Sequence, residues 1–184
     1  MPRRGSRASS SAIPPETGLK SHKGHSGLPI VELTALKTSL APGSRLIGLD
    51  LGEKTIGVAV SDTLLTVATP RITLKRGKFS ADAATLEKLI AEEGIGGVVI
   101  GLPLNMDGSE GPSAQSARAF ARNYATRSPI PILLWDERLS TAAVMRTLLN
   151  ADASRKRRRE VVDKMAAAYI LQGTLDALRN RERT

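Results

Sequence analysis

The sequence predicts an α/β domain built on a five-stranded mixed sheet, three antiparallel strands followed by two parallel strands reached through helical crossovers, with helices flanking the sheet. Three observations predict it. Residues 45–62 read as strand, tight turn and strand: Leu46, Ile47, Leu49 and Leu51 form a nearly continuous apolar run, Gly52-Glu53-Lys54 supplies the turn, and 55–60 is rich in β-branched residues. Gly97-Val-Val-Ile-Gly101 is a short, wholly apolar strand, which belongs inside a sheet and parallel to the first. Helical stretches at 81–93 and 113–127 lie on either side of it, so the later strands are entered by crossovers, which run right-handed and set those strands beside the first one.

In order, residues 1–44 are rich in Ser, Gly, Pro and basic residues and have little periodicity, so they are expected to form a basic tail, disordered to about residue 27. A short helix or no element is expected at 29–40. The early arginines and serines faintly resemble a transit peptide but lack an amphipathic face. The domain proper is expected from 45 to 184. After the hairpin comes a third strand at about 66–74, then a basic turn, Lys75-Arg76-Gly77-Lys78. Ser80 is the expected N-cap of the helix 81–93, which places Leu86, Leu89 and Ile90 on one face and stops at Gly94. A long polar loop, 102–112, follows the buried strand. The helix 113–127 leads to a strand at 131–135 that ends in Asp136-Glu137-Arg138. Ser140 is placed to cap a helix to about 150, Arg155-Lys-Arg-Arg-Arg159 is a basic run, and a last helix spans about 160–179.

Composition narrows the chemistry. The chain of 184 residues is long enough for a real core, and no apolar run approaches the roughly 20 residues of a membrane-spanning helix. It has no cysteine, which excludes disulfides, thiol catalysis and Cys-based zinc sites and fits a reducing, cytoplasmic setting. Its two histidines, His22 and His25, both fall in the tail, so acid–base or metal chemistry must rest on Asp and Glu. The net charge is +9, of which +4 sits in residues 1–44 and +5 in the remainder. A basic domain with few aromatics suits a polyanion held through its phosphates more than through base stacking.

In such a sheet the site lies beyond the C-terminal ends of the parallel strands. Asp50, the loop 102–111 and Asp136/Glu137 all map there. Asp50 interrupts an apolar strand, where a carboxylate is costly unless paired, hydrogen-bonded or bound to a metal; it can also serve simply to cap the turn. On the last helix Val162, Ala166, Tyr169, Ile170 and Ala177 share a face, and Asp163 lies at its edge in the first turn, where the helix dipole favours an acid in any case. If Asp50, Glu137 and Asp163 converge, three crowded carboxylates repel unless divalent cations occupy the gap. Hard oxygen ligands suit Mg²⁺ or Mn²⁺, and two such ions can activate water and stabilise the leaving oxygen in phosphodiester hydrolysis. The basic run Arg155, Lys156, Arg157, Arg158 and Arg159 would bring positive charge to that place, with Lys54 and Arg138 as further phosphate contacts.

The stretches Gly48-Leu-Asp-Leu-Gly-Glu-Lys-Thr-Ile-Gly-Val-Ala-Val-Ser-Asp62, Gly101-Leu-Pro-Leu-Asn-Met-Asp-Gly-Ser-Glu-Gly111, Asp136-Glu-Arg-Leu-Ser-Thr141 and Val162-Asp-Lys-Met-Ala-Ala167 resemble the signature blocks of the YqgF/RuvX family, in the same order and over about 45–178. These are Holliday-junction-resolvase-like proteins, also assigned to processing the 5′ end of pre-16S rRNA. The resemblance implies an RNase H-like fold and metal-dependent nuclease chemistry. It matches Asp50 to the first-strand aspartate, Glu137 to the glutamate of the Asp-Glu-Arg block and Asp163 to the last-helix aspartate. Many RNase H-like nucleases place the middle acid after the fourth strand, whereas here it comes from the fifth, so Asp107 and Asp136 stay open as ligands.

The leading expectation is a metal-dependent endonuclease for structured nucleic acid, with precursor small-subunit rRNA as substrate, a ribosomal particle as a partner, and no membrane. A four-way DNA junction is the second substrate, which would call for a homodimer where the first allows a monomer. A non-catalytic RNA- or ribosome-binding module is the rival reading. An actin-like ATPase or sugar kinase is a further one, since Asp50-x-Gly52 followed by Gly57 resembles its phosphate loop; that class duplicates the fold, and the chain has no second Asp-x-Gly strand–turn.

Overall fold

In a computed structural model, which describes residues 29–139 and 157–181, the hairpin consists of β1 (Arg45–Leu51) and β2 (Thr55–Ser61), antiparallel, with Asp50 opposite Gly57. β3 (Ala68–Lys75) adds to the far edge of β2. A helix α2 (Phe79–Glu93) leads to β4 (Ile95–Leu102), which pairs parallel to β1, and α3 (Pro112–Ala125) leads to β5 (Ile132–Asp136), parallel to β4. A 3-10 turn, Glu137–Leu139, continues β5, and the last helix, α4, is Arg157–Asn180. The strand order β3-β2-β1-β4-β5 is the expected five-stranded mixed sheet in its RNase H-like arrangement.

Period-two alternation splits this sheet between two cores. Ile47, Leu49, Leu51, Ile56, Val58, Val98 and Ile100 face α2 and α3, where Phe120 and Tyr124 complete the layer. Leu46, Ala59, Val99, Leu133 and Trp135 face α4, which buries Ala167, Ile170, Leu171 and Leu175 against them. Burying a leucine or isoleucine stabilises by about 1.5–3 kcal/mol, so both faces hold α4 and the α2–α3 pair firmly. Of the helical stripe expected from sequence, Val162, Ala166 and Ile170 are buried, and Tyr169 and Ala177 are partly buried against the same cluster.

Two details differ from the sequence expectation. The helix α2 starts at Phe79, with Lys78 and not Ser80 in the N-cap position. Phe79 packs edge-on to Phe120 at 5.3 Å, which draws it into the helix, and the Asp82 carboxylate accepts the Gly77 N–H at 3.0 Å, in place of a hydroxyl cap. Gly94 does end α2, in the left-handed conformation at φ +65°. Residues 29–44, which the sequence grouped with the tail, pack on the domain: a helix α1 (Leu33–Ser39) buries Leu36 completely, and Ile30 bridges Ile132 on the outer edge of β5. Residues 1–28, the expected helix after Ser140, and Arg155 and Lys156 lie outside the described residues. Among the described residues no helix is long and apolar enough to cross a membrane.

Candidate active site

The alternation that builds the two cores also sorts the acids. Along β1, Leu46, Gly48 and Asp50 share the α4 face; a Cβ placed on Gly48 would meet the Leu171 Cβ at 2.7 Å. Gly57, opposite Asp50, has the same orientation: an added Cβ there would run into the Asp163 carbonyl. A glycine at 57 is what lets the second turn of α4 settle directly on β2. The β1–β4 register ends at the pair Leu49 and Ile100, so the next residue of each strand sets Gly101 beside Asp50. A Cβ on Gly101 would lie 2.5 Å from Glu137 Oε1 and 2.6 Å from Ile170 Cδ1. The Glu137 carboxylate therefore lies over β4, one strand from Asp50. Glycines on both neighbouring strands leave the space that the two acids and α4 occupy. Asp50 is 9% exposed and Glu137 4%.

Asp163 reaches the same edge from above. Thr55 Oγ1 donates to Asp163 Oδ2 at 2.6 Å, a link between β2 and α4 across 108 positions of sequence. The turn beneath is braced by Arg76, whose Nη1 donates to the Gly52 carbonyl at 2.6 Å and whose Nη2 donates to Ser116 Oγ at 3.0 Å. Asp50, Glu137 and Asp163 thus lie on one face of the sheet, over the neighbouring strands β1, β4 and β2 respectively. Their donor chemistry is all carboxylate oxygen, which fits a hard divalent cation. Among the described residues no group of three Asp, Glu, His or Cys stands close enough to hold one ion.

Asp136 and Asp107 are placed elsewhere. Ile132 and Leu134 belong to the α2–α3 side of the sheet and Leu133 and Trp135 to the α4 side, so Asp136 continues the first set and Glu137 the second. Asp136 is engaged by Arg138, with Nη2 to Oδ2 at 2.7 Å and Nε to Oδ1 at 3.0 Å. That guanidinium holds the Asp136 carboxyl below the usual carboxylate range, and Asp136 in turn raises Arg138. Asp107 sits in the exposed loop, where it accepts the Ser109 hydroxyl at 2.6 Å and its amide at 2.9 Å; the hydroxyl bond lowers its pKa most. Arg138 Nη1 also donates to the Met106 carbonyl at 3.4 Å, so this arginine pins the loop to the end of β5. Lys54 is exposed on the β1–β2 turn. Arg157, Arg158 and Arg159 open α4.

Thr55, Arg76 and the role of Gly101 were not expected from the sequence. Thr55 stands two residues before Gly57, hence on the same strand face, and that spacing is the one signal a sequence offers for it.

Comparison with known proteins adds the following. The profile of the family described as "RuvX: Holliday junction resolvase" matches residues 44–177. A relative from Paramagnetospirillum magneticum is 59% identical over 149 residues, covering 81% of this chain and 96% of its own length. One from Rhodobacter capsulatus is 65% identical over 133 residues, covering 72% and 84%. Both bear the name "Putative pre-16S rRNA nuclease". Among solved structures, RuvC of Thermus thermophilus in complex with a Holliday junction substrate aligns at TM-score 0.48 and 13% identity, over 77% of this chain and 97% of that one. The yeast mitochondrial Holliday junction resolvase aligns at 0.42 and 11%, over 80% and 85%.

Proposed function

The chain belongs to the RuvX family and is a nuclease, and on that premise we propose that it is a metal-dependent endonuclease that trims the 5′ end of precursor 16S rRNA in the cytoplasm, on a ribosomal particle. The observation that supports this reading is that Asp50, Glu137 and Asp163 share the α4 face, over the adjacent strands β1, β4 and β2. Mg²⁺ or Mn²⁺, two ions in this reading, would be held by those three carboxylates and would supply Lewis-acid polarisation of the phosphate and an activated water. The other residues bind and orient. Thr55 fixes one oxygen of Asp163, which sets the direction of the carboxylate. Gly101 leaves room for Glu137 to lie over β4. Lys54 and the basic run from Arg155 to Arg159 hold the phosphate backbone beside the acids. Arg138 acts on the loop it pins, because Asp136 already neutralises its charge.

The family's description as a Holliday junction resolvase favours a second substrate, four-way DNA, whose two-fold symmetry would call for a homodimer. An RNA bearing the precursor 5′ region and a synthetic four-way junction, each incubated with the protein and Mn²⁺ or with EDTA, separate the two. Cutting of the RNA alone, dependent on metal, is expected. Cutting of the junction alone would transfer the proposal to DNA, and binding of both without cutting would leave a non-catalytic RNA-binding module.

A further inference from the structure

Directly opposed residues of an antiparallel pair project to the same side of the sheet. Thr55 is paired with Lys75, and the Thr55 hydroxyl is on the α4 side, bonded to Asp163. Lys75 therefore projects to the face that carries the acids. Ile72 and Leu74, packed into the opposite core, confirm the phase of β3. Along the edge of the sheet the α4 face presents, in order, Lys75 on β3, Thr55 on β2, Asp50 on β1 and Gly101 on β4. Two strand spacings, on the order of 10 Å, separate the backbone of β3 from that of β1. That is about three nucleotide steps at 3.4 Å of rise.

One further cation flanks Lys75: Lys54 adjoins Thr55 on the β1–β2 turn, and both lysines are exposed. Lys78, also exposed, is the N-cap of α2, which packs on the opposite face. Several other surface cations are paired: Arg45 and Arg71 share Glu93, Arg118 pairs with Glu110, Arg127 with Glu87, and Arg138 with Asp136. Among the described residues no ion pair includes Lys54 or Lys75. Their setting is also braced. The Arg76 N–H donates to the Lys54 carbonyl at 2.9 Å, and its guanidinium holds Gly52, two residues beyond Asp50. The lysines thus sit at a fixed offset from the acids, with charge not neutralised by a neighbour.

We propose that Lys75, with Lys54 beside it, is a phosphate-binding track, along which a nucleic-acid backbone enters from β3 and crosses the sheet edge toward Asp50 and Glu137. This rests on the nuclease reading of the same edge and adds the path of the substrate to it. A lysine that contacts a phosphate releases a counterion, so its loss reduces the salt dependence of binding.

The test is binding without cleavage, read by fluorescence anisotropy in EDTA over a salt series. The probe is an RNA bearing the precursor 5′ region of small-subunit rRNA. The double variant Lys54→Gln, Lys75→Gln should lower the slope of log K against log salt by about 1.5 to 2. Lys75→Gln alone should lower it by about 1, and Lys88→Gln, whose lysine pairs with Glu92 on α2, should leave it unchanged. All are exposed side chains, and matched thermal melts are expected. A double variant that binds with the wild-type slope would overturn the track and leave the nuclease reading standing. A wild type with no affinity for the RNA or for a four-way junction would overturn both.

Discussion

Gly101 offers the sharpest quantitative handle on the site. In Gly101→Ala the new methyl would lie 2.5 Å from Glu137 Oε1 and 3.3 Å from its Cδ. Ordinary contact begins near 3.4 Å, so the carboxylate must retreat by about 0.9 Å. A misplacement of that size at a reacting centre costs on the order of 100-fold in rate, or about 2.7 kcal/mol of transition-state stabilisation. The methyl also meets Ile170 Cδ1 at 2.6 Å. Overpacking of this kind costs about 1–3 kcal/mol, which for a protein of this length lowers Tm by roughly 2–12 °C. Gly48→Ala supplies the contrast. There the methyl meets Leu171 Cβ at 2.7 Å and the Ala167 carbonyl at 3.0 Å, groups that cannot swing aside. Leu171 is eight residues beyond Asp163, about 12 Å along the helix. Gly48→Ala should therefore lose as much stability as Gly101→Ala or more, yet keep most of its cleavage rate. Thermal melts beside single-turnover cleavage of the precursor RNA separate the two effects. A Gly101→Ala protein cutting at the wild-type rate would refute the placement of Glu137 over β4.

Thr55→Val removes the hydroxyl while keeping the shape of the side chain; it should reduce cleavage by about 10- to 100-fold, with Thr55→Ser close to wild type, as measured by single-turnover rates. Equal rates for the two variants would show that the bond to Asp163 does not orient it. At the far end of the sheet, burial pushes the Asp62 carboxyl up, but together the Thr66 hydroxyl and the Val67 and Thr66 amides outweigh this and hold it at about 2. The folded value is the lower one, so this carboxylate stabilises the β2–β3 tip fully above about pH 4 and ceases to as pH falls toward 2. An NMR titration should find its midpoint near 2, and a midpoint at the ordinary 3.8 would contradict the bonds drawn to it.

How much of this was legible in the sequence depended on whether one side chain or a pairing carried the signal. The strand around Asp50, the buried strand ending at Gly101 and the break at Gly94 follow from apolar runs and a glycine, and the structure has them there. Whether Asp136 or Glu137 faces Asp50 was not readable, because β5 is apolar on both faces and gives no alternation to set its phase. The start of α4 at Arg157 was hidden for a related reason: its first turn is charged and carries no apolar period. Lys75 looked like part of a basic turn. Its place on the acid face depends on the β2–β3 register, which shifts between Val58 and Ala59. Thr55 meets Asp163 only once α4 has folded back over a glycine.

The central claim is that Asp50 serves catalysis and not merely the turn. The most direct measurement compares wild type with Asp50→Asn for cleavage and for binding of the precursor RNA, in Mn²⁺ and in EDTA. Wild type is expected to cut in Mn²⁺ alone, while Asp50→Asn binds within about threefold of wild type and does not cut, the loss lying in the chemical step. An Asp50→Asn protein that cuts at the wild-type rate, or a wild type that cuts equally well in EDTA, would contradict it.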